Sequence, residues 1–300
     1  GHSHAPAHFG TAFAVGVTLN SAFVVLEVVY GLFAHSLALV ADAGHNLSDV
    51  FGLLLAWAAT VWARRAATLR HTYGWRRSSI LAALGNALLL LISVGVIAWQ
   101  AVRRLRNPVA VESNIMIWVS AAGIAVNAIT AWMFMAGRKG DLNLRAAFQH
   151  MAADAVISAG VVVAGVVIAF TGWLWLDPAV SLALVAVVVA GTWGLLRDSV
   201  DLALDAVPGG VDLAAIRQYL GGLPAVVDVH HLHAWGLSTS EAALTAHVVL
   251  GAELADNTLL ATINRALRER FGIAHATIQF EIAGAADCPS KECQTANAEL

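Results

Sequence analysis

Six long apolar runs separated by short charged stretches constrain this chain more than any other feature. They cover residues 11–33, 37–63, 78–102, 114–136, 146–170 and 178–196. A helix of roughly 20 apolar residues crosses a hydrocarbon core of about 30 Å. Most charge lies in 64–77, 103–112 and 138–145, and beyond residue 197. Only 12% of the 300 residues are Asp, Glu, Lys or Arg, against 59% hydrophobic. A soluble domain carries about twice that charged fraction. Tyr30–Phe33, Trp132–Phe134, Trp62, Trp99, Trp118, Trp173 and Trp175 fall near run ends, where amphipathic rings prefer the headgroup layer. The expectation is an α-helical membrane protein with six transmembrane helices.

Orientation follows from the basic residues. Arg64, Arg65, Arg70, Arg76, Arg77, Arg138, Lys139, Arg145 and Arg197 fall on one side, and Arg103, Arg104 and Arg106 on the other. The positive-inside bias puts both termini in the cytoplasm. No cleavable signal peptide is expected, and the net charge of −3 adds little.

Composition changes at Pro208-Gly209-Gly210. Beyond it the pattern reads as helix 211–221, strands 225–237 and 241–250, helix 256–271 and strand 275–283. On the last strand Ile278, Phe280 and Ile282 should point inward and Thr277, Gln279 and Glu281 outward. The order αββαβ makes a small α+β unit whose limited core dimerisation would assist. The domain plan is therefore a His-containing tail (1–10), a six-helix membrane domain (11–205), a cytoplasmic α+β domain (206–283) and a tail (284–300) with Cys288 and Cys293. A structural disulfide between these cysteines is not expected on the cytoplasmic side.

An ionised side chain at mid-bilayer costs about 2.5–3.5 kcal/mol on insertion scales and so marks function. Run 2 holds Asp42, His45, Asn46, Ser48 and Asp49; run 5 holds Gln149, His150 and Asp154. Both contain His-x-x-x-Asp: His45 with Asp49, and His150 with Asp154. Residues four apart share one helix face. Two such pairs on adjacent helices make an N₂O₂ cage suited to tetrahedral Zn²⁺. Imidazole favours Zn, Co or Ni over Mn or Mg, and Cu(I) would call for Cys or Met. Asp42 fits either an imidazole-orienting role or a place in helix packing or a proton path. Glu27 in run 1 is a carboxyl able to relay protons, and the in-span asparagines read as interhelical hydrogen-bonding groups.

The six-run layout, the paired motifs and the αββαβ unit resemble the cation diffusion facilitator family. The strings Ser36-Leu37-Ala38-Leu39-Val40-Ala41-Asp42-Ala43-Gly44-His45 and His231-Leu232-His233-Ala234-Trp235 resemble its zinc-transporting branch. The resemblance spans about residues 10–283. It implies a homodimeric metal/proton antiporter exporting metal from the cytoplasm, with a ferredoxin-like C-terminal domain. It also implies His45, Asp49, His150 and Asp154 as the transport site, and a cytosolic Zn²⁺ site at His233, His247 and Glu281. Solvated strand histidines are the plainer reading of the latter. A further site in the loop between runs 2 and 3 is not expected, because Thr68 and Trp75 stand beside His71 where ligands would be needed. The resemblance also allows Cys288 and Cys293, with His2 and His4, to bind metal.

The expected function is thus Zn²⁺ efflux in exchange for protons, by a protein that is not an enzyme. Its partners are the bilayer, a second copy, divalent metals and protons, with no nucleic acid. A zinc enzyme would need three ligands, an open position and a base; a metal sensor or receptor would bind without transport. Many alanines and arginines with few lysines point to a bacterial inner membrane.

Overall fold

A computed structural model describes residues 9–63, 65–135, 142–251 and 257–283. Six long helices come first: α1 (Phe9–Phe33), α2 (Leu37–Ala63), α3 (Ser78–Arg106), α4 (Ser113–Met135), α5 (Leu142–Thr171) and α6 (Leu176–Ala203). Among the described residues four segments are long and apolar enough to cross a membrane, namely Ser78–Arg106, Ser113–Met133, Phe148–Thr171 and Leu176–Ala203; Thr18–Phe33 is a shorter apolar helix. Phe170 is 88% exposed and Trp118 76% exposed. Helices that stay apolar on their outward faces require a hydrocarbon surrounding rather than water.

The chain divides into two compact units, Gly1–Leu55 with Gly85–Leu196, and Ala56–Leu84 with Arg197–Leu300. The core of the first joins Phe23 of α1, Leu39 and Ala41 of α2, Ile97 of α3, Met116 and Val119 of α4, Val161 and Ile168 of α5, and Leu184 of α6. Helices α4 and α5 pack extensively against each other. Small residues permit this approach. A β-carbon on Gly165 would sit 2.9 Å from Ile117 Cγ1, and one on Gly123 would sit 2.7 Å from Phe23 Cζ.

The start of α2 is held by a carboxylate from α6. Asp177 is fully buried and accepts hydrogen bonds from Ser36 Oγ (2.5 Å), Leu37 N (2.9 Å) and Ala38 N (3.2 Å). The two amides are first-turn donors that no helical carbonyl can satisfy. Arg104 of α3 approaches the same carboxylate at 3.9 Å and donates to the His35 carbonyl.

In the second unit α7 (Leu213–Gly221) and α8 (Asn257–Phe271) accompany β1 (Val226–Gly236), β2 (Ala242–Leu250) and β3 (Ile273–Ile282). Asp212 caps α7 by accepting from Ala215 N. The sheet order is β1-β2-β3, with β1 and β2 antiparallel and β2 and β3 parallel. Ile216, Leu220, Ile263 and Leu267 of the helices pack with Leu232, Leu244, Ala246 and Ile273 of the strands. The helices therefore cover one sheet face. The expected alternation on β3 weakens at its end, where Ile282 is exposed and Glu281 half-buried. The connection after α2 also belongs to this unit: Arg76 Nη1 meets Glu241 Oε2 at 2.7 Å and His275 Nε2 at 2.6 Å, and Arg77 pairs with Asp205.

Candidate metal centres

Helix α5 places His150 and Asp154 one turn apart, and α2 brings His45 to the same point. His45 Nε2 lies 3.4 Å from Asp154 Oδ1, and His150 Nε2 lies 3.6 Å from Asp154 Oδ2. The two imidazole centroids are 6.0 Å apart and nearly perpendicular. Tetrahedral Zn²⁺ with bonds of about 2.0–2.1 Å sets neighbouring donor atoms about 3.3 Å apart. Each imidazole lies near that spacing from a different oxygen of Asp154. One imidazole from each helix thus approaches the same motif carboxylate, whereas the trio among the described residues whose donor atoms all fall within 4.8 Å of one another lies on the sheet. Asp49 stands one turn beyond His45 on α2, and its side chain lies outside the described ones. Asp154 is 2% exposed, so its carboxylate faces the two imidazoles rather than bulk water.

Behind this cluster lie two further carboxyl groups. Asp42 accepts from Ser158 Oγ of α5 at 3.2 Å, and Glu27 of α1 accepts from Asn46 Nδ2 at 3.1 Å. Asp42 is 1% exposed and Glu27 fully buried.

The second cluster sits on the sheet. His230 Nε2 is 3.2 Å from Glu281 Oε2, and His247 Nδ1 is 2.7 Å from Glu281 Oε1. One donor atom from each of the three residues falls within 4.8 Å of the others. Two imidazoles and a carboxylate fit a divalent transition metal. Asp228 Oδ2 stands 3.3 Å from His230 Nδ1, which orients the ring so that Nε2 points at the cluster.

The resemblance named His233 here, and the structure places His230 instead. A β-bulge between His230 and His233 is the reason. His233 pairs with Thr245 and His230 with His247, so two residues of β1 oppose Ala246 alone. His231 takes the left-handed conformation (φ 49°), which inserts the extra residue and resets the alternation. His230 thereby lands directly across from His247. His233 is exposed, one pair further along, with its ring 5.6 Å from that of His231. An unbroken ladder counted back from Gly236–Ala242 would set His231, not His230, opposite His247. Three histidines within four residues was the available signal, but the bulge that chooses among them was not legible.

His71 stacks on Trp75 with centroids 4.6 Å apart, in a turn closed by Thr68. His2, His4, Cys288 and Cys293 lie outside the described residues.

Comparison with known proteins now decides the family. The cation efflux transmembrane domain matches residues 13–202, and the cation efflux protein cytoplasmic domain matches residues 208–283. The chain belongs to the cation diffusion facilitator family. Its relatives include the metal cation efflux system protein CzcD of Cupriavidus metallidurans, 37% identical over 285 residues (94% of this chain and 90% of that one). The zinc transporter ZitB of Escherichia coli is 37% identical over 289 residues (93% and 91%). A cadmium, cobalt and zinc/H(+)-K(+) antiporter of Bacillus subtilis is 32% identical over 287 residues (94% and 92%). A solved metal-bound C-terminal domain of the CzcD transporter from Cupriavidus metallidurans is 39% identical, covering 24% of this chain and 99% of that one, with a TM-score of 0.22.

Proposed function

We propose that this chain is a homodimeric Zn²⁺ efflux transporter, and not an enzyme or a metal sensor, that exchanges metal for protons. The observation that carries the reading is Asp154, whose two carboxylate oxygens face His45 of α2 and His150 of α5 at 3.4 and 3.6 Å. The membrane cage comprises His45, Asp49, His150 and Asp154. The names of the zinc-transporting relatives and of the Bacillus antiporter support both the cargo and the exchange. In this reading α1 to α6 are six spans (11–205), the αββαβ unit (206–283) is ferredoxin-like and cytoplasmic, and both termini face the cytoplasm. The membrane is a bacterial inner membrane, and the cytoplasmic domain family supports dimerisation.

The cage works by competition. A metal ligand must give up its proton, so binding metal releases protons and binding protons releases metal. Zn²⁺ enters from the cytoplasm, the helices rock, and protons from the opposite face displace it. On the return step protons are lost to the more alkaline cytoplasm. A resident ion at His230, His247 and Glu281 would supply a positive cross-link among β1, β2 and β3. The protein groups there position their own donors: Asp228 holds His230, and Glu281 spans both imidazoles.

The experiment is uptake into proteoliposomes carrying an imposed pH gradient and an internal zinc dye. Zinc flux that collapses with the gradient and is lost in Asp154→Asn supports the reading. Flux indifferent to the gradient, or zinc binding with no flux at all, refutes it.

A further inference from the structure

We propose that Glu27 and Asp42 form a second proton-binding site, distinct from the metal cage, which is filled when metal leaves and emptied when metal binds. The inference rests on the antiport reading and adds to it a place where an exchanged proton resides.

Glu27 of α1 is fully buried and Asp42 of α2 is 1% exposed. Each carboxyl has one oxygen satisfied: Glu27 Oε2 by Asn46 Nδ2, Asp42 Oδ2 by Ser158 Oγ. The other oxygen of each, Glu27 Oε1 and Asp42 Oδ1, is buried with no hydrogen-bond donor among the described residues. Asn46, which holds Glu27, stands one turn beyond Asp42 on α2, so the two carboxyl groups lie on the same side of that helix. Two carboxylates contain no donor, so the orphaned oxygens gain one only if a carboxyl is protonated. A proton between them supplies the missing donor and removes a repulsion that the low dielectric would leave nearly unscreened.

The ionisable neighbours fix the direction of the response. On α2 His45 stands three residues beyond Asp42, and on α5 Asp154 stands one turn before Ser158, which donates to Asp42. Helix α4 has no ionisable residue anywhere along Ser113–Met135, and its nearby wall is Gly123, against Phe23 and Ser158. A divalent cation in the cage offsets the negative charge of Asp154, and the pair then holds its single shared proton. When the cation departs, that offset is gone and the pair takes a second proton. The proton comes from the outer solution and is later released to the cytoplasm as the next metal ion binds. Charge and protons balance with no other reactant.

The test measures protons released per zinc ion bound to the full-length protein in weakly buffered detergent, read with a pH-indicator dye. Glu27→Gln and Asp42→Asn should each still bind zinc in the cage but lose about one released proton per metal ion relative to wild type. Glu27→Asp should restore part of that release, which a purely structural role for Glu27 would not do. Unchanged proton release in both amide variants overturns the proposal while leaving the antiport reading intact. Loss of one bound zinc ion per chain in Glu27→Gln also overturns it, by making the pair a metal site. Absence of any proton release from wild type defeats the antiport reading itself. Infrared difference spectra of wild type, metal-bound minus metal-free, guard against variants that fail to fold: the band of a protonated carboxyl should shrink on zinc binding, and no such change would overturn the proposal.

Discussion

Asp177→Asn isolates the contact that anchors the start of helix α2. The wild-type carboxylate accepts from Ser36 Oγ, Leu37 N and Ala38 N at 2.5, 2.9 and 3.2 Å, with Arg104 at 3.9 Å. The amide keeps one acceptor oxygen but turns an NH₂ donor toward groups that also donate. Hydrogen bonds to a charged acceptor contribute about 1.5–3 kcal/mol each, of which at least one is lost. The favourable placement of negative charge at a helix N-terminus adds up to about 2 kcal/mol in a buried setting. Arg104 adds little, because 3.9 Å exceeds hydrogen-bonding distance. The total loss is about 2–4 kcal/mol. At about 2–4 °C per kcal/mol for a domain of 150–250 residues, the unfolding temperature should fall by roughly 4–16 °C. Intrinsic tryptophan fluorescence during thermal unfolding in detergent reads this, and Ser36→Ala should show a smaller drop. An unchanged unfolding temperature in Asp177→Asn would refute the reasoning.

Three further outcomes follow. Replacing His45 with Asp makes the cage richer in oxygen and should move competition in vesicle uptake from Zn²⁺ toward Mn²⁺ or Cd²⁺; an unchanged metal profile would contradict the imidazole argument. His230→Ala should weaken zinc binding at the cytoplasmic cluster about 100-fold in isothermal titration of full-length protein while His233→Ala changes it less than threefold; the reverse order would mean the bulge does not select the ligand. Gly123→Val sets a branched side chain against Phe23 and should cost about 1–3 kcal/mol of stability by overpacking, seen as a lower unfolding temperature; no drop would show that the α1–α4 contact is loose.

What was legible in the sequence were periodicities and spacings. Apolar run 37–63 became α2 (Leu37–Ala63), and run 78–102 became α3 (Ser78–Arg106), where a long apolar segment leaves the backbone no alternative to helix in lipid. The four-residue step from His150 to Asp154 predicted a shared helix face, and the side chains meet at 3.6 Å. What stayed hidden depends on contacts between distant segments. No local pattern marks Asp177 as the acceptor for the start of α2, 140 residues away. The bulge at His231 requires a left-handed histidine, which the alternation of β1 does not announce. Glu27 was recognisable as an unusual carboxyl within an apolar run, but its hydrogen bond from Asn46 depends on how α1 and α2 pack. The connection at 65–77 resembles a plain basic loop, yet Arg76 reaches Glu241 and His275 of the sheet unit.

The central claim is that α2 and α5 hold one metal ion between them through imidazole nitrogens and carboxylate oxygens. Zinc K-edge X-ray absorption on full-length protein carrying His230→Ala and His247→Ala, loaded with one zinc ion per chain, tests it without interference from the cytoplasmic cluster. The account predicts a four-coordinate N/O shell at about 2.0–2.1 Å with the outer-shell scattering of two imidazoles, reduced to one in a further His150→Ala variant. Sulfur ligation, six-coordination, or an imidazole count indifferent to His150 would contradict it.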